Sequence, residues 1–165
     1  MTENNVTDLL KQIQHLKIDV WITGGWGIDA LLGRQTRPHN DIDIFIQKKD
    51  ANAFSEILNR NGYREIEMEY TTDDHTVWQN SENNTIDLHL FEFVDADSLR
   101  FENDIYPFEL FRGKGAIGGM EVRCLTAEAQ LLYHQGYEQT EKDRHDVFLL
   151  CEAFGLSVPK EYEEQ

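Results

Sequence analysis

Val6, Leu9, Leu10, Ile13 and Leu16 recur at three- and four-residue intervals through "VTDLLKQIQHL", the spacing of one buried helix face. The pattern then shifts to a short β-rich run, "DVWIT", broken by Gly24 and Gly25 before "WGIDALL", a second helix that Gly33 ends. "DIDIFI" alternates polar and apolar positions as a strand does, after which Asp50 is placed to cap a helix over "ANAFSEILNRN", closed by Gly62. "YREIEME", "HTVWQ" and "TIDLHLFEF" read as successive strands, with "NSENN" as the polar turn before the last. "MEVRCL" is a further strand, Thr126 caps a helix running through Gln135, and "EKDRHDVFLLCEAF" forms a last helix stopped by Gly155. Residues 94–119 mix Phe101, Tyr106, Phe108 and Phe111 with the glycine-rich "GKGAIGG", which predicts a hairpin or an irregular loop over the sheet.

Strands come first and helices gather at the end, an α+β pattern: a mixed sheet, then helices. At 165 residues the chain is long enough to bury a real core, and it shows no repeat, low-complexity segment or large linker.

Charge narrows the partners. Lysine plus arginine is 15 against 31 aspartates and glutamates, a net charge of −16. Such a field repels polyphosphate backbones, there is no basic tract, and nucleic acid is therefore not an expected partner, whereas cationic partners are favoured. The first residues, "MTENNVTDLLKQ", lack a positive region followed by an apolar one, and no later run reaches membrane-spanning length, so a cytoplasmic protein with no membrane partner is expected. Cys124 and Cys151 sit among apolar neighbours without metal-ligand spacing, which predicts two buried, reduced thiols.

The chemistry concentrates in "GGWGIDALLGRQTRPHNDIDIF". Asp41 and Asp43 project to one side of their strand while Ile42 and Ile44 project into the core. Two carboxylates held close repel each other unless a cation lies between them, and their hard oxygens suit magnesium; the alternative is a solvated pair on an edge strand. Gly24 and Gly25, between a strand and a helix start, permit close backbone approach where free amides favour an anion such as phosphate, or they form an ordinary tight turn. Pro38 biases Arg37 away from helical geometry, so an extended "RPHNDID" would align Arg37, His39, Asp41 and Asp43 on one side. Arginine grips phosphate with two donors and histidine donates to its oxygens; each could equally be a loop anchor.

This stretch resembles the signature of the polymerase-β-like antibiotic nucleotidyltransferases, in which a glycine pair, a tryptophan, a helical aspartate and an Asp-x-Asp strand recur. "TIDLHLF" supplies Asp87 for that family's third carboxylate. "CLTAEAQLLYHQGYEQTEKDRHDV" is similar to the small lincosamide nucleotidyltransferases, while the first signature is shared equally with the aminoglycoside 2''-nucleotidyltransferases. The resemblance runs over 20–147. It implies a nucleotidyltransferase mixed-sheet domain over 1–124, flanked by helices, and a C-terminal helical part over 125–165 that completes the substrate cleft.

It further implies transfer of a nucleoside monophosphate from ATP, or another nucleoside triphosphate, to an antibiotic hydroxyl with the help of Mg2+. Asp41 and Asp43 would be metal ligands, and Asp87 would share a metal or take the hydroxyl proton. Gly24, Gly25, Arg37, His39 and Lys142 would serve the nucleotide, although Lys142 could instead pair with Asp146 one turn along its helix. Asp29 would orient Arg37 or face the substrate. Glu92, Tyr133 and Tyr137 would meet the antibiotic, against the plainer roles of a solvated strand end and of helix core. A lincosamide is the first expected acceptor and an aminoglycoside the second. A non-catalytic nucleotide-binding or antitoxin-like regulator is the third reading, and exposed aromatics between Phe101 and Phe111 would allow a homodimer.

Overall fold

The computed structural model describes residues 1–163. In chain order the elements are α1 (Glu3–His15), β1 (Val20–Thr23), α2 (Gly24–Leu32), β2 (Asp41–Gln47), α3 (Ala51–Arg60), β3 (Arg64–Ile66), β4 (His75–Gln79) and β5 (Thr85–Phe93). They continue with β6 (Ser98–Phe101), β7 (Asp104–Pro107), β8 (Gly113–Ile117), β9 (Met120–Cys124), α4 (Ala127–Tyr133), α5 (Glu141–Phe154) and α6 (Lys160–Glu163). The strands form one sheet in the order β3-β4-β5-β2-β1-β9-β8, with the β6–β7 hairpin attached to β5. Two pairs, β2 with β5 and β1 with β9, are parallel and the others antiparallel, so the sheet is mixed as predicted.

Strand alternation sorts the side chains into two layers. Ile42, Ile44 and Ile46 of β2 and Ile86 and Leu88 of β5 pack under α1 and α3 with Val6, Leu10, Ile13, Phe54 and Ile57. The intervening residues, Asp41, Asp43 and Phe45 on β2 and Asp87, His89 and Phe91 on β5, face the other way. There Trp21, Phe45, Phe91, Phe111, Leu125 and Ala129 make a second apolar cluster. Ile28 of α2 meets Ala127 and Leu150, which ties the C-terminal helices to the sheet through α2.

Several sequence expectations change in the fold. α1 starts before the apolar pattern because Thr2 and Asn5 form a reciprocal capping box. Asp50 makes no side-chain capping bond, since a short 3-10 turn, Lys48–Asp50, already leads into α3. Gly24 and Gly25 open α2 rather than preceding it, "YREIEME" yields only β3, and α4 ends at Tyr133. β2 begins at Asp41, so the extended run predicted back to Arg37 does not form.

Within 94–119 the expected hairpin forms twice: as β6–β7, and as β8–β9, in which "GKGAI" is the first strand and Gly118 and Gly119 make the turn. A Cβ at Gly115 would lie 2.2 Å from the Ala30 carbonyl oxygen, so glycine is what lets β8 press against the α2 backbone. Phe111 is buried, and Phe101, Tyr106 and Phe108 pack on the same cluster. Phe101, Tyr106 and Phe108 keep part of their surface exposed, and Phe111 almost none. Cys124 and Cys151 are both free and buried.

Candidate active site

Three residues on adjacent strands stand in register. Thr23, the last residue of β1, is opposite Asp43 of β2, and Asp43 is in turn beside Asp87 of β5. The chain enters α2 directly after Thr23, bringing the start of that helix against the carboxylates. Gly24 has φ +61°, and a Cβ there would fall 2.1 Å from Asp43 Oδ2. Glycine is thus required twice over at this position, by conformation and by contact. The Thr23 hydroxyl donates to Gln130 Oε1 at 3.1 Å and does not cap α2. The amides of the first turn lack a side-chain partner and can serve an anion.

A cavity of about 470 Å³ opens above this row. Thr23, Gly24, Gly25, Asp41, Asp43, Phe45, His89 and Phe101 line it from the sheet side, and Tyr133, His134, Tyr137, Thr140, Lys142 and Asp143 from the C-terminal helices and the turn between them. Burial, reinforced by the charges of Asp43 and Asp87, pushes the Asp41 carboxyl above its ordinary 3.8. The mutual repulsion of these hard oxygen donors is what a divalent cation would relieve. No group of three or more His, Cys, Asp or Glu side chains among the described residues already stands together as a ligand cluster. In donor chemistry the three carboxylates fit magnesium.

Asp87 does not line the cavity; it stands one strand beyond Asp43, with Oδ1 3.4 Å from His75 Nε2. His89 stacks on Phe45 at 4.6 Å between ring centroids and on His75 at 4.2 Å, and its Nε2 is 3.9 Å from Asp43 Oδ1. Tyr70, in the turn before β4, packs on His75, and its hydroxyl is held above its usual range by burial and then by Asp87, Asp43 and Asp41. His75, His89, Phe45 and Tyr70 escaped the sequence reading. For two of them the signal was present: at period two, His89 shares a face with Asp87 and Phe45 with Asp43.

Four expected site residues are employed differently. Arg37 borders the cavity, but its Nε and Nη2 donate to the Asp146 carboxylate at 2.9 and 2.5 Å, so its fork is not presented to a phosphate. His39 is buried and does not line the cavity; its Nε2 lies 2.6 Å from Asp29 Oδ2, while its Nδ1, without a hydrogen-bond partner among the described residues, lies against Gly25. Asp29 is likewise buried, accepting from the Thr36 amide and hydroxyl as well, so it anchors the loop before β2 instead of facing substrate or orienting Arg37. Glu92 is exposed opposite Arg100 on the hairpin strand, away from the cavity.

On the helical wall, Asp146 is taken by Arg37, which leaves Lys142 at the cavity instead of in the alternative helix pair. Asp143 accepts from the Thr140 amide and hydroxyl, each at 2.7 Å, and from the Tyr137 hydroxyl at 3.1 Å. Burial raises its pKa, but these hydrogen bonds outweigh it and hold the carboxyl below the usual range. The Tyr137 and Tyr133 hydroxyls are pushed above the normal tyrosine range, chiefly by burial.

The family model for aminoglycoside-2''-adenylyltransferases matches residues 5–150. A lincosamide resistance protein from Staphylococcus haemolyticus is 30% identical, with 89% of this chain and 96% of that protein aligned. Among solved structures, a lincomycin-bound lincosamide antibiotic adenylyltransferase superposes with a TM-score of 0.79 at 29% identity, over 91% of this chain and 96% of the other. An aminoglycoside 2''-nucleotidyltransferase in complex with adenylyl-2''-tobramycin gives 0.76 at 25% identity, over 93% and 89%. The chain therefore belongs to the aminoglycoside-2''-adenylyltransferase family of antibiotic nucleotidyltransferases.

Proposed function

We propose that the protein transfers AMP from ATP to a hydroxyl of a lincosamide antibiotic, and that this modification gives resistance. The observation that carries the reaction is the registered row of Thr23, Asp43 and Asp87 beside the uncapped start of α2, with Thr23 and Asp43 on the floor of a cavity that has an aromatic far wall and Asp87 one strand behind. Asp41 and Asp43, with Asp87 behind them, would hold Mg2+. The ion bound there would neutralise the triphosphate and stabilise both the entering and the leaving oxygen.

The chain's own groups do the rest. The first amides of α2 cradle a phosphate, and Lys142 adds a positive charge from the opposite wall. The acceptor hydroxyl oxygen attacks the α-phosphorus, the bond to the β-phosphate breaks, pyrophosphate leaves, and the hydroxyl proton passes to Asp87. Residues 1–124 carry the carboxylates and the amide cradle, and the C-terminal helical part, 125–165, completes the substrate cleft. The cytoplasm, where ATP is abundant, is the setting that suits this reaction.

The lining favours a lincosamide. Such a molecule carries a single basic amine and an apolar arm, which Phe45, Phe101, Tyr133 and Tyr137 can cover. A polycation needs free carboxylates, and the one cavity acid besides the candidate metal ligands, Asp143, is already engaged by Thr140 and Tyr137. The strongly acidic balance, −16, favours an aminoglycoside as the second reading. Mass spectrometry of lincomycin and tobramycin after incubation with enzyme, Mg2+ and ATP tests the assignment. The expected product is lincomycin plus one AMP; adenylylated tobramycin alone would reverse the choice, and no adduct on either would contradict the proposal.

A further inference from the structure

We propose that Asp146 is a positioning residue: its two-pronged ion pair with Arg37 fastens the first turns of α5, and with them Lys142, over the carboxylates. The inference rests on the reading of the cavity as a nucleotide site. Arg37 Nε donates to Asp146 Oδ1 at 2.9 Å and Nη2 to Oδ2 at 2.5 Å, joining residues far apart in sequence. Asp146 is 1% exposed and is followed on α5 by Val147 and Leu150, both fully buried. A carboxylate buried there needs an opposite charge as its partner, and the guanidinium supplies it.

The remaining nitrogen of the fork is also occupied, with Nη1 donating to the Pro38 carbonyl at 3.3 Å. Nη2 lies against the start of α2, where a Cβ on Gly25 would be 2.7 Å from it. One guanidinium thereby touches three structures at once: the loop that delivers Asp41, the glycine turn lining the cavity, and α5. Lys142 precedes Asp146 by about one helical turn, so the two share a helix face. Asp146 points down to Arg37 while Lys142 reaches the cavity. A two-pronged pair fixes orientation as well as distance, which a lysine at position 37 could not do. The height of Lys142 above Asp41 and Asp43 follows from this tie.

The test sets the strut against direct phosphate contact by Arg37. Binding of a non-hydrolysable ATP analogue with magnesium is measured by calorimetry, and amide hydrogen exchange of 139–146 is followed relative to β2. Both are applied to the full chain and to Asp146→Asn, Arg37→Gln, the double variant and Arg37→Lys. A strut predicts that each single change weakens the analogue about tenfold and speeds exchange in 139–146 by a similar factor. The double variant should be no worse than the weaker single, because both remove one interaction. Arg37→Lys should remain weak, since it keeps the charge and loses the fork.

Unchanged or tighter binding in Asp146→Asn, which would leave Arg37 free for a phosphate, would overturn the proposal. So would near-full rescue by Arg37→Lys. If the unaltered protein fails to bind the analogue, the nucleotide reading falls by itself. The exchange data still judge the strut, which unchanged rates in the single variants would refute. Should Asp146→Asn not fold, Arg37→Lys carries the same two measurements.

Discussion

Gly24 and Asp43 touch: the Cβ of any other residue at position 24 would fall 2.1 Å from Asp43 Oδ2, on a backbone with φ +61°. The helix that offers amides to an anion is thereby set directly against the carboxylate that would hold its counter-cation. Gly24→Ala should displace Asp43 and destabilise the fold by about 1–2 kcal/mol through the left-handed backbone alone. Nucleotide transfer should fall about a hundredfold, because a misplacement of about 1 Å has that effect on positioned groups. Thermal melting beside single-turnover kinetics checks both halves; activity within a few-fold of the parent would mean that the contact is incidental.

Asp43→Asn keeps the shape of the side chain and removes the charge. Transfer should drop by about two to three orders of magnitude with the fold intact. In metal-free buffer the variant should melt higher than the parent, since Asp41 loses a repelling neighbour. Magnesium should raise the melting temperature of the parent and leave that of the variant nearly unmoved. A melting comparison with and without magnesium reads this directly.

The same repulsion has a pH signature. Burial and the charges of Asp43 and Asp87 raise the Asp41 carboxyl above 3.8 in the folded protein. The folded chain therefore binds that proton more readily than the unfolded chain does. In metal-free buffer this contribution to stability grows as pH falls through the raised value, is complete below 3.8, and is lost as pH rises again. Asp41→Asn should remove that part of the slope. Denaturant melts of parent and variant from neutral pH downward should converge at low pH; a constant gap would be the wrong result.

Much of this site was legible in the chain because strand alternation is a strict code. "DIDIF" puts two aspartates and "TIDLHLF" one on a single face, with isoleucine or leucine on the other, and the two strands pair in parallel with Asp43 beside Asp87. The loop before β2 was not legible. Arg37 and His39 look like phosphate ligands in one dimension, but their partners, Asp146 and Asp29, are fixed only by tertiary packing. β8 was hidden for a similar reason. Its glycines left a hairpin and an irregular loop both open, whereas Gly115 answers to the proximity of the α2 backbone at Ala30. The lining supplied by Phe45 and His89 could have been found by extending the period-two argument along each strand.

Asp87 is hydrogen-bonded toward His75 and set back from the cavity, which sharpens the choice between its two roles. If it takes the hydroxyl proton, Asp87→Asn should depress turnover while nucleotide affinity stays near that of the parent. If it chiefly holds the metal, affinity and magnesium dependence should weaken as much as in Asp43→Asn. The base role is expected to dominate. Calorimetric titration of magnesium ATP into the two variants separates the cases.

Pyrophosphate release with magnesium ATP, measured against a panel of lincosamides and aminoglycosides, tests the central claim most directly. Release should depend on a lincosamide acceptor, require magnesium, and disappear in Asp43→Asn. Release of equal rate without any acceptor, or full activity in Asp43→Asn, would contradict the account of Asp41, Asp43 and Asp87 as the centre of antibiotic nucleotidyl transfer.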